Sequence, residues 1–320
     1  MSSFEVVPCK SQQHSKVYKS QQEERYRNKI FLKNKLETIQ HNSLYELGQV
    51  FFKLGLNEYS DLDHSEFVAR MNGGFNSSII QFQSEAVTYI VPNSNVLVPS
   101  SVDWTTSGAV TPVKNQSPGS QQCNSCWAFA ATGALEGQHF RKTQSLISLS
   151  EQNLIDCSLE FGNHGCRGGG VSNAYQYIIA NGGIETEQSY PYEARDAECR
   201  YRVDHNSGAT VRAFAAVRQG DENALKMAVA TTGPVAIAFD ASLSSFHSYS
   251  SDVYYDPKCN PQHLTHAALV TGYGTTQSGI DYWIVKNSWG TSWGQGGYFF
   301  LARNRSNHCG VASAGIYPLV

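Results

Sequence analysis

Three residues that lie far apart in the chain carry side chains that could together perform nucleophilic catalysis. The first, Cys126, directly precedes the segment WAFAATGALEGQHF, in which apolar and small residues recur at helical spacing. We therefore expect this cysteine at the N-terminus of a helix, where free backbone N–H groups and the helix dipole favour a thiolate. A lowered thiol pKa is what a cysteine nucleophile requires.

Two later residues could serve this nucleophile as its base and its orienting group. His266 lies in LTHAALVTGYG, and Asn287 lies in YWIVKNSWG. An imidazole beside the thiol favours a thiolate–imidazolium pair, which attacks a carbonyl carbon and then protonates the leaving group. A carboxamide can hold the ring in the productive tautomer and orientation. The order Cys, His, Asn predicts covalent catalysis at a site that folding assembles.

The spacing of Cys123 and Cys126 also permits a different chemistry. A C-x-x-C pair is typical of redox sites and of one half of a zinc site. Zinc would require a second pair of ligands at short spacing, which we do not find in the sequence. A thioredoxin-like redox site would require a short βαβ pattern around the pair, and the pattern here differs. We therefore expect neither a metal nor a cofactor.

Several long motifs occur in an order that resembles the papain family of cysteine peptidases, in its cathepsin L-like branch. These motifs are CNSCWAF, LSEQNLIDCS, GCRGG, THAALVTGYG and VKNSWG. The resemblance covers nearly the whole chain and implies that Cys126 is the nucleophile, His266 the base and Asn287 its orienter. It further implies that Trp289 shields the hydrogen bond between the imidazole and the carboxamide from water.

The N-terminal third of the chain is similar to the inhibitory prosegment of that family. Residues 23–42 show a strongly helical pattern, which alone would also suit a solvated amphipathic helix. The residues that match the two prosegment motifs are Glu23, Arg27, Phe31, Asn34 and Asn42, then Gly55, Asn57, Tyr59 and Asp61, with Thr38 in place of the usual isoleucine. The resemblance implies a small helical domain that threads the cleft backwards. Its carboxylates, Asp61 among them, suggest activation by acid, because protonation of paired groups would loosen docking.

The composition changes along the chain and predicts its domain boundaries. The Asn- and Ser-rich stretch over residues 73–99 predicts an exposed linker, where proteolytic cuts concentrate. We expect residues 1–97 to form the inhibitory propeptide with its linker, and residues 98–320 to form the mature peptidase. Helical patterns prevail over residues 120–207, and strand patterns over residues 208–320. The resemblance implies an α+β, papain-like fold of two domains, one helical and one β-barrel-like, the latter joined by an N-terminal crossing segment.

The cysteines indicate the compartment. Of eight cysteines, Cys9 stands alone in the N-terminal third, and the other seven suggest three bridges and one free thiol. The resemblance implies the pairs Cys123–Cys166, Cys157–Cys199 and Cys259–Cys309. The alternative is seven reduced cysteines in a cytosolic protein. Three bridges need an oxidising compartment, so we expect a lysosome or an extracellular, digestive lumen. The N-terminus lacks the apolar segment of a secretory signal, which we expect to be missing from this version of the chain.

Charge and hydropathy limit the classes of partner. The net charge of −3 gives no reason to expect nucleic acid or an anionic membrane surface as a partner. The sequence contains no apolar run of about 18 residues, the length that would span a bilayer. We expect a monomer whose partners are protein and peptide substrates, its own propeptide and cystatin-like inhibitors.

The residue that completes the oxyanion hole has more than one candidate in the sequence. The family uses a glutamine side chain together with the backbone N–H of the nucleophile to stabilise the tetrahedral anion. Gln116 matches the sequence context of that glutamine. However, the loop after it carries extra residues, and Asn124 replaces the glycine normally found between the two cysteines. Gln116 is our choice, with Gln121 and Gln122 as alternatives.

The resemblance also assigns the substrate-binding residues. The backbone of Gly168 and Gly169 would pair with an extended peptide as an added strand. The pocket for the second residue before the scissile bond would be lined by Gly170, Val171, Ala238, Leu264, Ala267 and Ala314. These side chains are small and apolar, so a bulky hydrophobic or aromatic residue is favoured. Arginine there would leave an unpaired buried charge.

The favoured interpretation is a secreted or lysosomal cysteine endopeptidase made as a zymogen. Endopeptidase action is expected because the sequence lacks an occluding insertion with paired histidines. One alternative is a catalytically impaired, papain-like binding or structural protein, although all three catalytic residues are present. A peptide ligase on the same scaffold is a further alternative.

Overall fold

The computed structural model describes residues 16–72, 88–89, 97–205 and 208–320. The helices within these ranges are α1 (Gln21–Glu46), α2 (His64–Met71), α3 (Cys126–Thr143), α4 (Glu151–Cys157), α5 (Val171–Asn181), α6 (Glu222–Thr232) and α7 (Ser244–His247). The strands are β1 (Phe52–Leu54), β2 (Thr88–Tyr89), β3 (Val102–Asp103), β4 (Ala213–Ala216), β5 (Val235–Phe239), β6 (Tyr249–Tyr254), β7 (His266–Thr275), β8 (Asp281–Lys286), β9 (Tyr298–Ala302) and β10 (Ile316–Leu319). None of these helices has the length and apolar character needed to cross a membrane.

Helix α3 is the central element of the helical half, which comprises residues 120–207. Most of its side chains from Cys126 to Gln138 are buried. Its small residues allow close contact with the rest of the protein: a Cβ atom added to Gly133 would lie 2.9 Å from Leu269, a residue of strand β7. Because interiors are close-packed, these small residues fix how near α3 can come to the sheet. They thereby bring the N-terminus of α3 to the boundary between the two halves.

The β-rich half, residues 208–320, is built on one extended sheet. Its strands run in the order β1-β6-β9-β8-β7-β5-β10-β4-β2, with β3 paired to β7. Strand β7 pairs antiparallel with β5, which places His266 opposite Phe239, and with β8, which places Leu269 opposite Lys286. The first residue of β7 and the residue that follows β8 therefore lie at the same end of the sheet. This register brings His266 and Asn287 together.

The prosegment adds a strand to this sheet. Strand β1 pairs antiparallel with the edge strand β6, so that Phe52 lies opposite Asp252. The side chain of Asn42, from α1, holds β1 in place through two hydrogen bonds of 2.9 Å to the backbone of Leu54. Main-chain pairing of this kind gives affinity without specific side chains on the sheet edge.

A second prosegment contact is aromatic and lies nearer the cleft. Phe67, on α2, is fully buried. Its ring stacks on His247 at 3.7 Å between centroids and meets Trp289 edge-on at 5.2 Å. The hydroxyl of Tyr59 also donates to the backbone carbonyl of Trp289 at 3.0 Å. The prosegment therefore packs directly on the tryptophan that follows Asn287.

The strand patterns predicted over residues 208–320 miss two helices of the β-rich half, α6 and the short α7. The strand-like patterns after residue 208 did not reveal α6, whose N-cap Asp221 accepts a hydrogen bond from the backbone of Ala224. The sequence carries this signal, since Asp221 precedes a run of good helix formers. The prosegment helix is also longer than the predicted span of residues 23–42.

Replacing Phe67 with alanine should weaken the docking of the prosegment. The fully buried ring would leave a cavity, and such truncations destabilise by about 3–5 kcal/mol. In the intact proenzyme we expect Cys126 to react faster with iodoacetamide, measured by mass spectrometry. Leu36→Ala, on the outer face of α1 where the side chain is 55% exposed, is the control and should leave the rate unchanged. Equal rates in both variants would contradict the assigned role of the ring.

Candidate active site

The candidate nucleophile is the first residue of α3. Cys126 is buried and is the free cysteine among the residues that the structure describes. Its neighbour in the C-x-x-C pair, Cys123, is bonded to Cys166. The pair is therefore not available as a dithiol or as two zinc ligands. The thiol of Cys126 is left to react on its own.

The three predicted disulfides are all present. The bonded pairs are Cys123–Cys166, Cys157–Cys199 and Cys259–Cys309. The first two lie within the helical half, and the third lies within the β-rich half. The predicted pairing is confirmed. Cys9 lies outside the described residues.

The imidazole of His266 is oriented by a carboxamide. Its Nε2 lies 2.8 Å from Oδ1 of Asn287, and the same oxygen accepts the backbone N–H of Ser288 at 2.8 Å. Since the backbone N–H fixes Oδ1 as an acceptor, Nε2 must carry the proton that the ring donates. Nδ1, which has no hydrogen-bond partner among the described residues, is then the basic nitrogen of the neutral ring.

An aromatic shield covers this pair. The ring of Trp289 is fully buried and lies 4.7 Å from the imidazole, measured between centroids. Phe239 meets the imidazole edge-on at 5.8 Å. With water excluded, the hydrogen bond between His266 and Asn287 acts in a low local dielectric, which strengthens it.

The thiol lies against the first residues of strand β7. Cys126 and Ala267, the residue after His266, belong to one buried cluster, and the backbone N–H of Ala267 lowers the pKa of the thiol. The backbone N–H of Trp127 and that of Cys126 itself also favour negative charge on the sulfur. The structure therefore brings together, at the boundary between the two halves, the helix N-terminus and the strand that carries the imidazole.

Burial disfavours the charged form of both groups in this structure. Burial raises the pKa of Cys126 to about 11, and the backbone donors offset this only in part. Burial lowers the pKa of His266 to about 4, against the opposing effect of its hydrogen bond to Asn287. The expected lowering of the thiol pKa by the helix N-terminus is therefore outweighed here by burial, while the lowered thiol pKa of an active enzyme stays a prediction.

Gln116 lies beside this site with its amide already engaged. Its Oε1 accepts the hydroxyl of Ser288 at 2.7 Å, and its Nε2 donates to the backbone carbonyls of Cys123 and Met71, both at 3.3 Å. Met71 is the last residue of α2. A backbone carbonyl of the prosegment therefore accepts a hydrogen bond from Nε2 of Gln116, the group that we predict as a donor to the oxyanion. The side chain of Gln116 itself is fully buried.

The two alternative glutamines point elsewhere. Nε2 of Gln121 donates to the backbone carbonyl of Glu193 at 3.1 Å, and Nε2 of Gln122 donates to that of Ala69 at 3.0 Å. Both side chains are exposed. Neither takes part in the hydrogen-bond network of Ser288 and Gln116.

The predicted substrate-binding residues occupy two places. Gly168 has a φ of +119°, and a Cβ atom on Gly169 would lie 2.6 Å from the ring of Trp127, so both positions favour glycine. Gly170 and Val171 begin α5. The structure groups Ala238, Leu264 and Ala314 in one small buried cluster, and Ala238 lies opposite Ala267 between strands β5 and β7.

A buried cluster of charges, which the sequence analysis missed, joins the two halves below the site. Nζ of Lys114 lies 2.7 Å from Glu151 and 3.4 Å from Glu136, two carboxylates of the helical half. Glu136 also accepts the hydroxyl of Thr111, to which Lys286 donates at 2.9 Å. Since Lys286 immediately precedes Asn287, this network fixes the end of strand β8. The signal in the sequence was a glutamate inside the apolar pattern of α3.

Comparison with known proteins agrees with this geometry. Residues 98–319 match the papain family cysteine protease domain, and residues 11–67 match the cathepsin propeptide inhibitor domain. The chain therefore belongs to the papain family of cysteine proteases. It has the organisation of a cathepsin L-like zymogen, and the predicted papain-like α+β fold is confirmed.

Its relatives include several cathepsins and digestive enzymes. The chain is 54% identical to a cathepsin L-like peptidase of Aedes aegypti over 96% of this chain and 91% of that protein. It is 47% identical to digestive cysteine proteinase 2 of Homarus americanus over 96% and 92% of the two chains. The structure of digestive procathepsin L 3 from the larval midgut of Tenebrio molitor matches with a TM-score of 0.88 at 41% identity, covering 97% and 96% of the two chains.

Protonation of His266 should destabilise the proenzyme at acid pH. Its pKa of about 4 lies below the usual value of about 6.5, so the unfolded chain binds this proton more readily between these pH values. Stability that is present above pH 6.5 is then lost as the pH falls towards 4. In a Cys126→Ser background, which cannot process itself, we expect this contribution to fall by about 2–3 kcal/mol between pH 7 and pH 4.5.

The comparison with His266→Gln in the same background isolates this effect. Burial raises the pKa of Glu187 to about 7, which gives stability that is lost as the pH rises, but this contribution is common to both variants. Chemical unfolding of both variants at the two pH values measures the difference. An identical pH dependence in the two would contradict the assignment to His266.

Asp61, the carboxylate that the sequence suggested as an acid sensor, should contribute no loss of stability between pH 7 and pH 4.5. Burial alone would raise its pKa, but hydrogen bonds from Lys16 and Tyr18 and the charge of Lys16 lower it below the usual value. The stability that ionised Asp61 contributes is therefore lost only as the pH falls below about 4. The geometry favours His266 over Asp61 as the group that senses mild acid.

Proposed function

We propose that this chain is the zymogen of a cysteine endopeptidase in which Cys126, His266 and Asn287 carry the chemistry. One observation supports this most directly: a free thiol at a helix N-terminus lies against the strand whose first residue is an imidazole oriented by a carboxamide. A thiol, a base and an orienting group in this relation are what nucleophilic catalysis by cysteine requires.

The proposed reaction proceeds through an acyl-enzyme. Nδ1 of His266 takes the thiol proton, and the sulfur of Cys126 forms a bond to the scissile carbonyl carbon. The amide of Gln116 and the backbone N–H of Cys126 stabilise the resulting oxyanion. The imidazolium then gives its proton to the leaving amine as the C–N bond breaks. Water, activated by the same imidazole, releases the acid product and restores the thiol.

The proposed activation step is the removal of residues 1–97 from the mature chain 98–320. In the proenzyme the carbonyl of Met71 occupies the amide of Gln116, and burial keeps the thiol and the imidazole uncharged. Release of the prosegment frees that amide and admits water to the cleft. Hydration removes the desolvation that disfavours the charged forms, so the thiolate–imidazolium pair can form.

The proposed preference at the second residue before the scissile bond is for bulky hydrophobic or aromatic side chains. The cluster of Ala238, Leu264 and Ala314 is apolar and buried, which supports a pocket for such a side chain. The other proposed lining residues, Gly170, Val171 and Ala267, bring no charge. An arginine there would lose its hydration without gaining a carboxylate partner.

We further propose a lysosome or a digestive lumen as the site of action. The three disulfides suit an oxidising compartment, and the relatives are cathepsins and digestive proteinases. The proposed partners are protein and peptide substrates, the prosegment as inhibitor, and cystatin-like inhibitors. The proposed working form is a monomer that binds no nucleic acid.

Two fluorogenic peptides that differ only in phenylalanine or arginine at the second position before the cut test the proposed activity and its preference. We expect the processed enzyme to cleave the phenylalanine peptide faster by about tenfold or more, because the buried pocket offers no counter-charge. Iodoacetamide should abolish cleavage of both peptides. Faster cleavage of the arginine peptide would refute the pocket assignment, and activity that survives alkylation of Cys126 would refute the nucleophile.

Replacing Gln116 with alanine should reduce turnover without preventing folding. Loss of one oxyanion donor lowers kcat by about 100- to 1000-fold. The processed enzyme should keep its thermal midpoint to within a few degrees, which separates catalysis from stability. Gln121→Ala is the matched control and should leave kcat unchanged, since that side chain contacts Glu193 instead. Full turnover in Gln116→Ala would assign the oxyanion donor to another residue.

A further inference from the structure

The extra residues in the loop between Gln116 and Cys123 surround an arginine of the prosegment. We call residues 117–122 the carbonyl loop. Nη2 of Arg70 donates to the backbone carbonyl of Ser117 at 3.0 Å and also to that of Gly119. Two main-chain oxygens therefore converge on one guanidinium nitrogen.

The guanidinium is bound here without a carboxylate. Among the described residues, the ion pairs of the prosegment do not include Arg70. Its third neighbour is the ring of Tyr59, whose centroid lies 5.7 Å from the guanidinium carbon. Carbonyl oxygens along its edge suit a planar, weakly hydrated guanidinium; these belong to the mature part of the chain, whereas Tyr59 belongs to the prosegment, as Arg70 does.

The mature part of the chain holds the carbonyl loop in shape. The backbone N–H of Ser117 donates to Oδ1 of Asn115 at 2.9 Å, and that of Gln121 donates to the carbonyl of Pro118 at 3.2 Å. The side chain of Gln121 ties the loop to the carbonyl of Glu193. None of these bonds involves the prosegment. The bonds that hold the two carbonyls thus lie within the mature part of the chain and do not depend on the prosegment.

The contacts of neighbouring residues place this loop next to the reacting atoms. Met71 accepts from Gln116, while Ala69 accepts from Gln122 at 3.0 Å. Helix α2, which carries Arg70, also packs through Phe67 on Trp289, the ring that covers the imidazole. In the proposed reaction that imidazole protonates the leaving amine. The carbonyl loop therefore lies on the leaving-group side of the scissile bond.

We propose that the carbonyl loop is a guanidinium-binding subsite. In the proenzyme Arg70 fills it and helps to hold the prosegment. In the processed enzyme the same carbonyls bind the arginine side chain of a substrate, on the leaving-group side of the cut. This assignment rests on the proposed peptidase function and adds a second specificity element to it. The processed enzyme would then disfavour arginine in the apolar pocket, at the second position before the cut, and favour arginine after the cut.

Internally quenched peptides test the subsite in the processed enzyme. The peptides share phenylalanine at the second position before the cut and carry either arginine or citrulline at the second or third position after it. Citrulline has nearly the shape of arginine without its charge. We expect kcat/KM to favour arginine by about tenfold or more at one of these positions, since hydrogen bonds from a charged group are the stronger ones. Equal rates at both positions would overturn the proposal.

A shortened loop provides the matched control. A variant that lacks residues 118–121 removes the carbonyl of Gly119 and should cleave the arginine and citrulline peptides at equal rates. A preference for arginine that persists in this variant would overturn the proposal. Failure of the parent enzyme to cleave either peptide would instead refute the proposed peptidase function, so the two outcomes are distinguishable.

A measurement on the full-length proenzyme tests the same contact without altering the loop. Arg70→Gln should increase the rate of Cys126 alkylation by about tenfold or more, because the prosegment loses a charged anchor. Arg25→Gln, an exposed position on α1, removes the same charge outside the loop and should have no effect. Alkylation of Arg70→Gln at the parent rate would contradict the proposed binding of the guanidinium.

Discussion

Burial of one thiol and one imidazole at the boundary between two halves of the chain determines the state of this protein. Burial raises the pKa of Cys126 and lowers that of His266, because the charged form of each group would lose its hydration there. The two groups lie on elements that pack together, α3 and β7, and burial favours the uncharged form of each. The described prosegment reaches this region through two contacts: Phe67 packs on Trp289, and the carbonyl of Met71 accepts from the amide of Gln116.

The rest of the fold positions this pair. Small residues on α3 allow the helix N-terminus to approach strand β7, and the register of β7 with β8 places Asn287 beside His266. The backbone N–H of Ser288 donates to the carboxamide of Asn287, and the hydroxyl of Ser288 donates to Oε1 of Gln116. One short turn after β8 therefore orients both the base and the proposed oxyanion donor. Lys286, which precedes that turn, is held through Thr111 by the buried carboxylate of Glu136.

The resemblance to the papain family predicted the disulfide pairing and the fold class, and local patterns predicted the helix that begins at Cys126 and the division into a helical and a β-rich half. The sequence did not predict the raised pKa of Cys126, which comes from burial among residues that lie far apart in the chain. Nor did it reveal the charge cluster around Lys114, whose members come from different elements. The hydrogen bonds from Arg70 to the carbonyl loop also join residues that lie far apart in the sequence. Their only local sign was the unusual length of the loop.

The most direct test of the central claim is the ionisation of Cys126 before and after processing. Thiolate absorbance, taken as the difference from a Cys126→Ala variant, can be titrated upward from pH 7 in the intact proenzyme and in the processed enzyme. The structure predicts no thiolate in the proenzyme at pH 7, with ionisation only at strongly alkaline pH, and a thiolate already present in the processed enzyme. Equal thiolate signals from the two forms at pH 7 would contradict this account.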